Sequence, residues 1–230
     1  MRMIVVFEKG FALRHIGHLD LMRTIQRALR RTDLPIRYSN GFNPHIQLSF
    51  AAPLSVGVVG MREVMDVPLN DAIQGDIFAQ ALNHVLPSRL RVVAARSVSD
   101  GFPTLMALVA ASQIRIDFPA SPEADQVAEA FPRFMASQEC ITLRKTKAGE
   151  NMTNIRPFIA SASMEATENG YCLHALIENR PEGSLKPAVL VQALCEMSDV
   201  QAVAYTAFRE QIFAKHPQGS LIRLEEYPDA

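Results

Sequence analysis

Little in this chain is extreme, and each shortage excludes a class of protein. Its three cysteines, Cys140, Cys172 and Cys195, lie 32 and 23 positions apart. That is too sparse for a CxxC zinc half-site or a clustered iron–sulfur triplet, so they read as small buried hydrophobes. No run approaches the ~18 uninterrupted apolar residues of a membrane-crossing helix. The opening MRMIVVFEKGF is too short in apolar run for a secretory signal, and a reducing cytoplasm is the expected compartment. Net charge is also lacking: 23 Lys+Arg against 24 Asp+Glu leave −1, which excludes a globally basic nucleic-acid binder. There is no Gly-x-x-x-x-Gly-Lys phosphate loop, no Gly-x-Gly-x-x-Gly after a strand, no HExxH and no Gly-x-Ser-x-Gly elbow. A self-contained cofactor enzyme is therefore disfavoured, and no cofactor is expected.

What is present is ordinary globular material, 48% apolar and 20% charged. At about 100 to 150 residues per domain, two compact units are expected. The charge is unevenly placed. Residues 1–50 hold eight Arg/Lys against three Asp/Glu, whereas residues 51–230 hold 15 basic and 21 acidic side chains. A phosphate-attracting surface at the front is compatible with a neutral total.

The hydrophobic pattern changes period along the chain. Met3–Phe7 suits a buried strand closed by Lys9-Gly10. From Gly17 to Arg31, Leu21, Met22, Ile25, Ala28 and Leu29 recur at helical spacing until Asp33-Leu-Pro35 ends the helix. Ile36–Ser39 and Ile46–Phe50 read as short extended pieces around the Asn40-Gly41 turn, and Glu63–Leu69 as a further strand. A helix over Asp76–Leu86 and a strand over Leu90–Ala95 complete a β-α-β-β-α-β order.

Residues 99–106 are the expected boundary. Beyond it, Gln113–Phe118 is a strand, Glu123–Met135 a helix weakened by Pro132, and Cys140–Arg144 a strand. Ile159–Glu165 and Tyr171–Glu178 form a hairpin across Asn169-Gly170; a helix over Pro187–Met197 and a strand over Val203–Phe213 follow. The expected fold class is α+β: tandem ferredoxin-like (split βαβ) units with mainly antiparallel sheets, over 1–100 and 105–214, and a loosely held tail at 215–230.

The chemistry-bearing residues concentrate at the front. Asp20, Arg23, Arg27, Arg30 and Arg31 recur every three or four residues and form a ridge opposite the apolar stripe. Guanidinium groups in a row suit phosphate, since each offers a planar fork of donors, although a solvated helix face has the same pattern. His15, His18 and His45, with Asp20, are the one set from which acid–base or metal chemistry could be assembled, beside a purely structural role. His15-x-x-His18 alone is weak evidence for zinc, and no metal is expected. His84, His174 and His216 are isolated and read as ordinary. In Ser39–His45, Phe42, Asn43 and His45 are the kinds of side chain that stack on and hydrogen-bond an exposed base; the alternative is a connector whose Phe42 plugs the core. Arg144, Lys145 and Lys147, with Gly149, make a second basic loop.

Over His18–Val58, above all in His-Leu-Asp-Leu-Met-Arg and Gly-Phe-Asn-Pro-His, the chain resembles a bacterial radical-SAM-linked family of unknown function, a domain found beside or fused to cobalamin-binding radical SAM proteins and in some lineages beside a ribonuclease E/G-type enzyme. The similarity extends to Asn154–Pro157 and to Leu185–Pro187 followed by Val191–Leu194. The chain departs from that pattern at Gly17, where serine would cap the helix, and at Ile46-Gln47, where proline and a basic residue are usual. The family looks like a distant relative of RAMP-type RNA-binding proteins.

The resemblance implies a cytoplasmic accessory protein that binds RNA or presents it to a nearby-encoded radical SAM partner. Arg23, Arg27, Arg30 and Arg31 would hold phosphates, while Phe42, Asn43 and His45 contact a base. Two other readings remain open: a metal-independent endoribonuclease using His18 or His45, and a protein–protein adaptor for the radical SAM partner.

Overall fold

A computed structural model describes residues 1–146 and 149–229. It is a mixed α+β protein with mainly antiparallel strand pairing. The chain divides into two compact units, one formed by Met1–Ala110 with Arg209–Ala230 and the other by Ala111–Phe208.

In the first unit, β1 (Arg2–Lys9) is followed by helix α1 (His18–Leu29), the two-residue β2 (Ser49–Phe50), β3 (Val58–Pro68), α2 (Gly75–Val85), β4 (Leu90–Val98) and the short α3 (Leu105–Leu108). The strand order is β4-β1-β3, with β2 also on β3. β1 is central and covered on both faces, which explains its uninterrupted apolar run. Met3, Val5 and Phe7 join Leu21, Ile25 and Leu29 of α1 and Phe78 and Leu82 of α2 in one core. Ile4 points the other way, into a second cluster with Val64, Val98, Phe102 and Leu105.

Two segments of this unit differ from the pattern read in the sequence. The extended pieces at 36–39 and 46–50 shrink to isolated bridges, Ile36 with Leu69 and Tyr38 with Ile46, plus β2. Pro35 and Pro44, which precede the two arms, supply no N–H of their own, although the Pro35 carbonyl accepts from the Asn70 amide at 2.8 Å. The tail is held rather than loose. Leu221–Arg223 pairs with the strand that ends at Lys215, and the buried carboxylate of Glu225 accepts from Arg62 at 2.7 Å and Gln211 at 2.9 Å. Its alternating Leu221–Arg223 is too short to stand out as a strand among charged and turn-forming neighbours.

In the second unit, β5 (Val109–Pro119) leads into α4 (Pro122–Ala136), the hairpin β6 (Ile141–Thr146) and β7 (Gly149–Asn154), the hairpin β8 (Ile159–Thr167) and β9 (Gly170–Glu178), and α5 (Pro187–Met197). The last long strand, β10 (Thr206–Lys215), starts here and runs into the first unit's residues, where β11 (Leu221–Arg223) pairs with it. Ser121 caps α4 by accepting from the Ala124 amide at 3.1 Å, with Pro122 in the first turn. The helix continues through Pro132, which is exposed, and forgoes the backbone bond that an N–H at that position would make one turn earlier.

β5, β9 and β8 lie side by side. Ile114, Ile116 and Phe118 with Leu173, Ala175 and Ile177 fill the buried face, and the intervening residues occupy the other. The expected strand at 140–144 pairs with Gly149–Asn154 in a separate hairpin rather than in that sheet. Gly170 closes the β8–β9 turn at φ +133°, and a Cβ there would sit 2.1 Å from the Phe118 carbonyl oxygen, so no other residue fits without moving backbone.

Candidate functional site

Helix α1 turns its charge outward because its apolar stripe is fully used: Leu21, Ile25, Ala28 and Leu29 are all buried. Arg23, Arg27 and Arg30 are exposed on the opposite side. Arg23 meets Asp20 at 3.4 Å, with both side chains more than two-thirds exposed, and Arg27 donates to the Thr24 hydroxyl at 3.5 Å. An exposed pair of this kind contributes little stability, so it leaves Arg23 available to a stronger anion. Arg31 behaves differently. Its guanidinium donates to the carbonyl of Val85 in the last turn of α2, where a cation complements the negative helix end.

The loop after α1 rises beside this ridge. The Ser39 amide donates to the His45 carbonyl at 2.9 Å, the Gln47 amide to the Arg37 carbonyl at 3.2 Å, and Gln26 of α1 donates to the Ile46 carbonyl at 3.2 Å. Arg23 and Arg30 are the helical neighbours of Gln26 at three and four residues, so the anchoring bond seats the loop against the basic row. At the tip, Gly41 takes φ +124° and the Phe42 ring is fully exposed. Asn43 and Pro44 are exposed beside it. Phe42 therefore does not plug the core.

His45 is exposed, and its Nδ1 lies 2.8 Å from the Ser39 hydroxyl, which fixes the ring and leaves Nε2 facing outward from that bond. With Met22, Gln26, Gln47, Leu48, Ser49 and Pro68 it borders an open groove of about 350 Å³. His18 lies on the core side of its helix, edge-on to Phe50 with ring centroids 5.0 Å apart. His15 and Asp20 are exposed. These residues do not gather into a ligand set. Among the described residues, the group of three or more ligand-type side chains with donor atoms within 4.8 Å of one another is Glu165, Cys172 and His174.

A buried charge cluster supports the approach to α1. Lys9 is 1% exposed and donates to the carbonyls of Arg14 and Ile16 at 3.1 and 3.0 Å. Burial lowers the Lys9 pKa, an effect the Glu63 carboxylate opposes and the Arg209 cation reinforces. Glu63 receives two hydrogen bonds from Arg209, which also reaches the carbonyls of Ala52 at 3.0 Å and Pro53 at 3.3 Å. The segment before α1 and the segment after β2 are thus tied to one ionic core.

In the second basic loop, Arg144 donates to the Ser184 carbonyl at 2.9 Å and lies 5.2 Å from the Phe158 ring centroid. Lys147 and the Lys145 side chain lie outside the described residues. The Asn154–Pro157 stretch works structurally. The Asn154 side chain accepts from the Cys140 and Arg156 amides, and Arg156 donates to the carbonyls of Ile159 and Met135.

Sequence reasoning missed the Lys9–Glu63–Arg209 cluster and the set around Cys172. The thiol of Cys172 lies 3.4 Å from Asp117 and 3.3 Å from His174 Nε2. Burial, then the hydrogen bond to Asp117, push the thiol pKa up to about 11, so it is protonated at neutral pH. The available signal was Cys-x-His on an alternating strand, which puts both side chains on one face.

Among the described residues no helix is long and apolar enough to cross a membrane. Comparison with curated proteins gives no match. A family model covers residues 2–187, which include α1, its exposed loop and both clusters except Arg209; on that match the chain belongs to the family described as uncharacterized protein conserved in bacteria, DUF2344.

Proposed function

We propose that the protein is an RNA-binding accessory without a catalytic step of its own, which holds single-stranded RNA for a radical SAM partner in the cytoplasm. The observation that carries this reading is the exposed Arg23, Arg27 and Arg30 row, with Asp20 its one ion-paired carboxylate among the described residues, together with the fully exposed Phe42 on the loop that Gln26 of the same helix anchors. Phosphates would bind the row, while the aromatic ring supplies a stacking surface that any base can use. Arg31, engaged with Val85, would contribute positive potential rather than a direct bond.

The reading includes a fold proposal. The order β-α-β-β-α-β, with β4-β1-β3 side by side and the two-residue β2 paired to β3, supports a ferredoxin-like first unit. A second such unit, and a distant relation to RAMP-type proteins, belong to the same proposal.

Fluorescence anisotropy with a labelled single-stranded RNA tests it. Arg27→Glu should weaken binding and flatten its salt dependence, by about 0.7 in log–log slope for each phosphate that is no longer neutralised. Phe42→Ala should weaken binding by about 5- to 150-fold, the effect of removing one stacked base at about 1–3 kcal/mol, without changing thermal stability. Binding unchanged in both variants would reject the interface. Incubation with total RNA in chelator should leave the RNA intact; cleavage that disappears in His45→Ala would instead establish an endoribonuclease. Co-purification with the radical SAM partner, free of nucleic acid and without RNA affinity, would establish an adaptor.

A further inference from the structure

The second unit carries a cluster that the RNA reading does not use. On the face of the β5-β9-β8 sheet opposite its buried face, Cys172 and His174 stand two residues apart on β9. Glu165 is the direct register partner of Cys172 on β8, and Asp117 its direct partner on β5. Three neighbouring strands therefore deliver a thiol, an imidazole and two carboxylates to one spot.

The spacing is the informative part. Cys172 Sγ to His174 Nε2 is 3.3 Å, Cys172 Sγ to Asp117 Oδ1 is 3.4 Å, and His174 Nε2 to Glu165 Oε1 is 3.8 Å. Tetrahedral coordination with bonds of about 2.0–2.3 Å puts donor atoms about 3.3–3.6 Å apart, so little movement would bring them onto one ion. Cys172 is buried, the His174 side chain is 35% exposed and that of Glu165 70% exposed, so the ion would have an open approach. That approach is a cavity of about 480 Å³ bordered also by Arg115, Asn169 and Tyr171.

We propose that Cys172, His174 and Glu165 bind a divalent cation of the zinc class, with Asp117 as the fourth donor or as the acceptor that orients one. A sulfur and a nitrogen donor beside a carboxylate select zinc-like ions over calcium or magnesium, which take oxygen sets. Binding releases the Cys172 proton to solvent and forms the metal–sulfur bond in its place. The ion pair between Arg115 and Asp117, at 3.4 Å, offsets the negative charge beyond what the cation neutralises.

The test is titration of the purified full chain with cobalt(II), then competition by zinc(II). One equivalent should give a thiolate-to-cobalt charge-transfer band and intense ligand-field bands, both of which disappear when zinc is added. Cys172→Ser should abolish the charge-transfer band, and His174→Ala and Glu165→Gln should each weaken binding at least tenfold. Cys140→Ser and Cys195→Ser should leave the spectrum unchanged. Should a variant fold poorly, alkylation of the wild-type chain replaces it: zinc should protect Cys172 and leave Cys140 and Cys195 as they were. Absence of a cobalt spectrum in the wild type, a charge-transfer band that survives in Cys172→Ser, or zinc protection of Cys140 or Cys195 instead of Cys172 would overturn the proposal.

Discussion

Replacing Glu63 by alanine should lower the unfolding free energy by about 3–5 kcal/mol, the usual consequence of leaving a buried charge without its partner. Glu63 is 3% exposed and faces two cations that are also buried, Lys9 at 1% and Arg209 at 8%. Arg209 holds it through two nitrogens, so the alanine variant strands a guanidinium that cannot shed its proton. Lys9 would be deprived of the one charge that favours its ammonium form while the opposing Arg209 remained. Urea unfolding followed by circular dichroism measures the effect. A second variant isolates its origin. Lys9→Met removes one stranded cation but leaves the carbonyls of Arg14 and Ile16 without their donor, at a cost of about 1–3 kcal/mol. Introduced into Glu63→Ala, it should therefore cost less than it does alone. A Glu63→Ala variant as stable as the wild type would mean that the cluster is hydrated and holds neither loop.

That cluster also shows where local pattern stops being informative. Helices α1 and α2 were legible because Leu21, Ile25 and Leu29, and Phe78 and Leu82, recur at the helical period and end near prolines. β1 was legible because both its faces are buried. Residues 36–50 were less so, since turn formers and prolines predict extended chain without saying that only two bridges and β2 would form.

Partners distant in sequence leave no local trace. Glu63 and Arg209 meet across 146 residues, and Cys172 looks like a small hydrophobe until the β5-β9-β8 register sets Asp117 and Glu165 on either side. For the same reason the strand at 141–146 could be seen but its partner could not. At the candidate interface the basic row follows from spacing alone, whereas the diversion of Arg31 to Val85 and the exposure of Phe42 depend on how α2 and the loop pack.

The second large effect concerns that row. Converting Arg23, Arg27 and Arg30 together to glutamate should abolish measurable RNA binding while leaving the thermal midpoint within a few degrees of wild type. All three residues are exposed, and surface substitutions of this kind usually change stability by no more than about 0.5 kcal/mol each. Their effect on binding is large because each gives up a phosphate and adds repulsion toward the next. Three phosphates neutralised by the wild type correspond to a log–log salt slope of about −2, or a roughly twentyfold fall in affinity between 50 and 200 mM salt. Affinity retained in the triple variant would assign RNA to another surface or exclude it.

The interface itself is located most directly by photo-crosslinking a thiouridine-containing single-stranded RNA to the full chain and mapping the modified peptides by mass spectrometry. A platform made of the α1 ridge and the Phe42 tip predicts adducts concentrated in residues 38–45, with the yield falling in Phe42→Ala and as salt is raised. Adducts confined to the unit formed by Ala111–Phe208, or a yield indifferent to salt, would contradict the account.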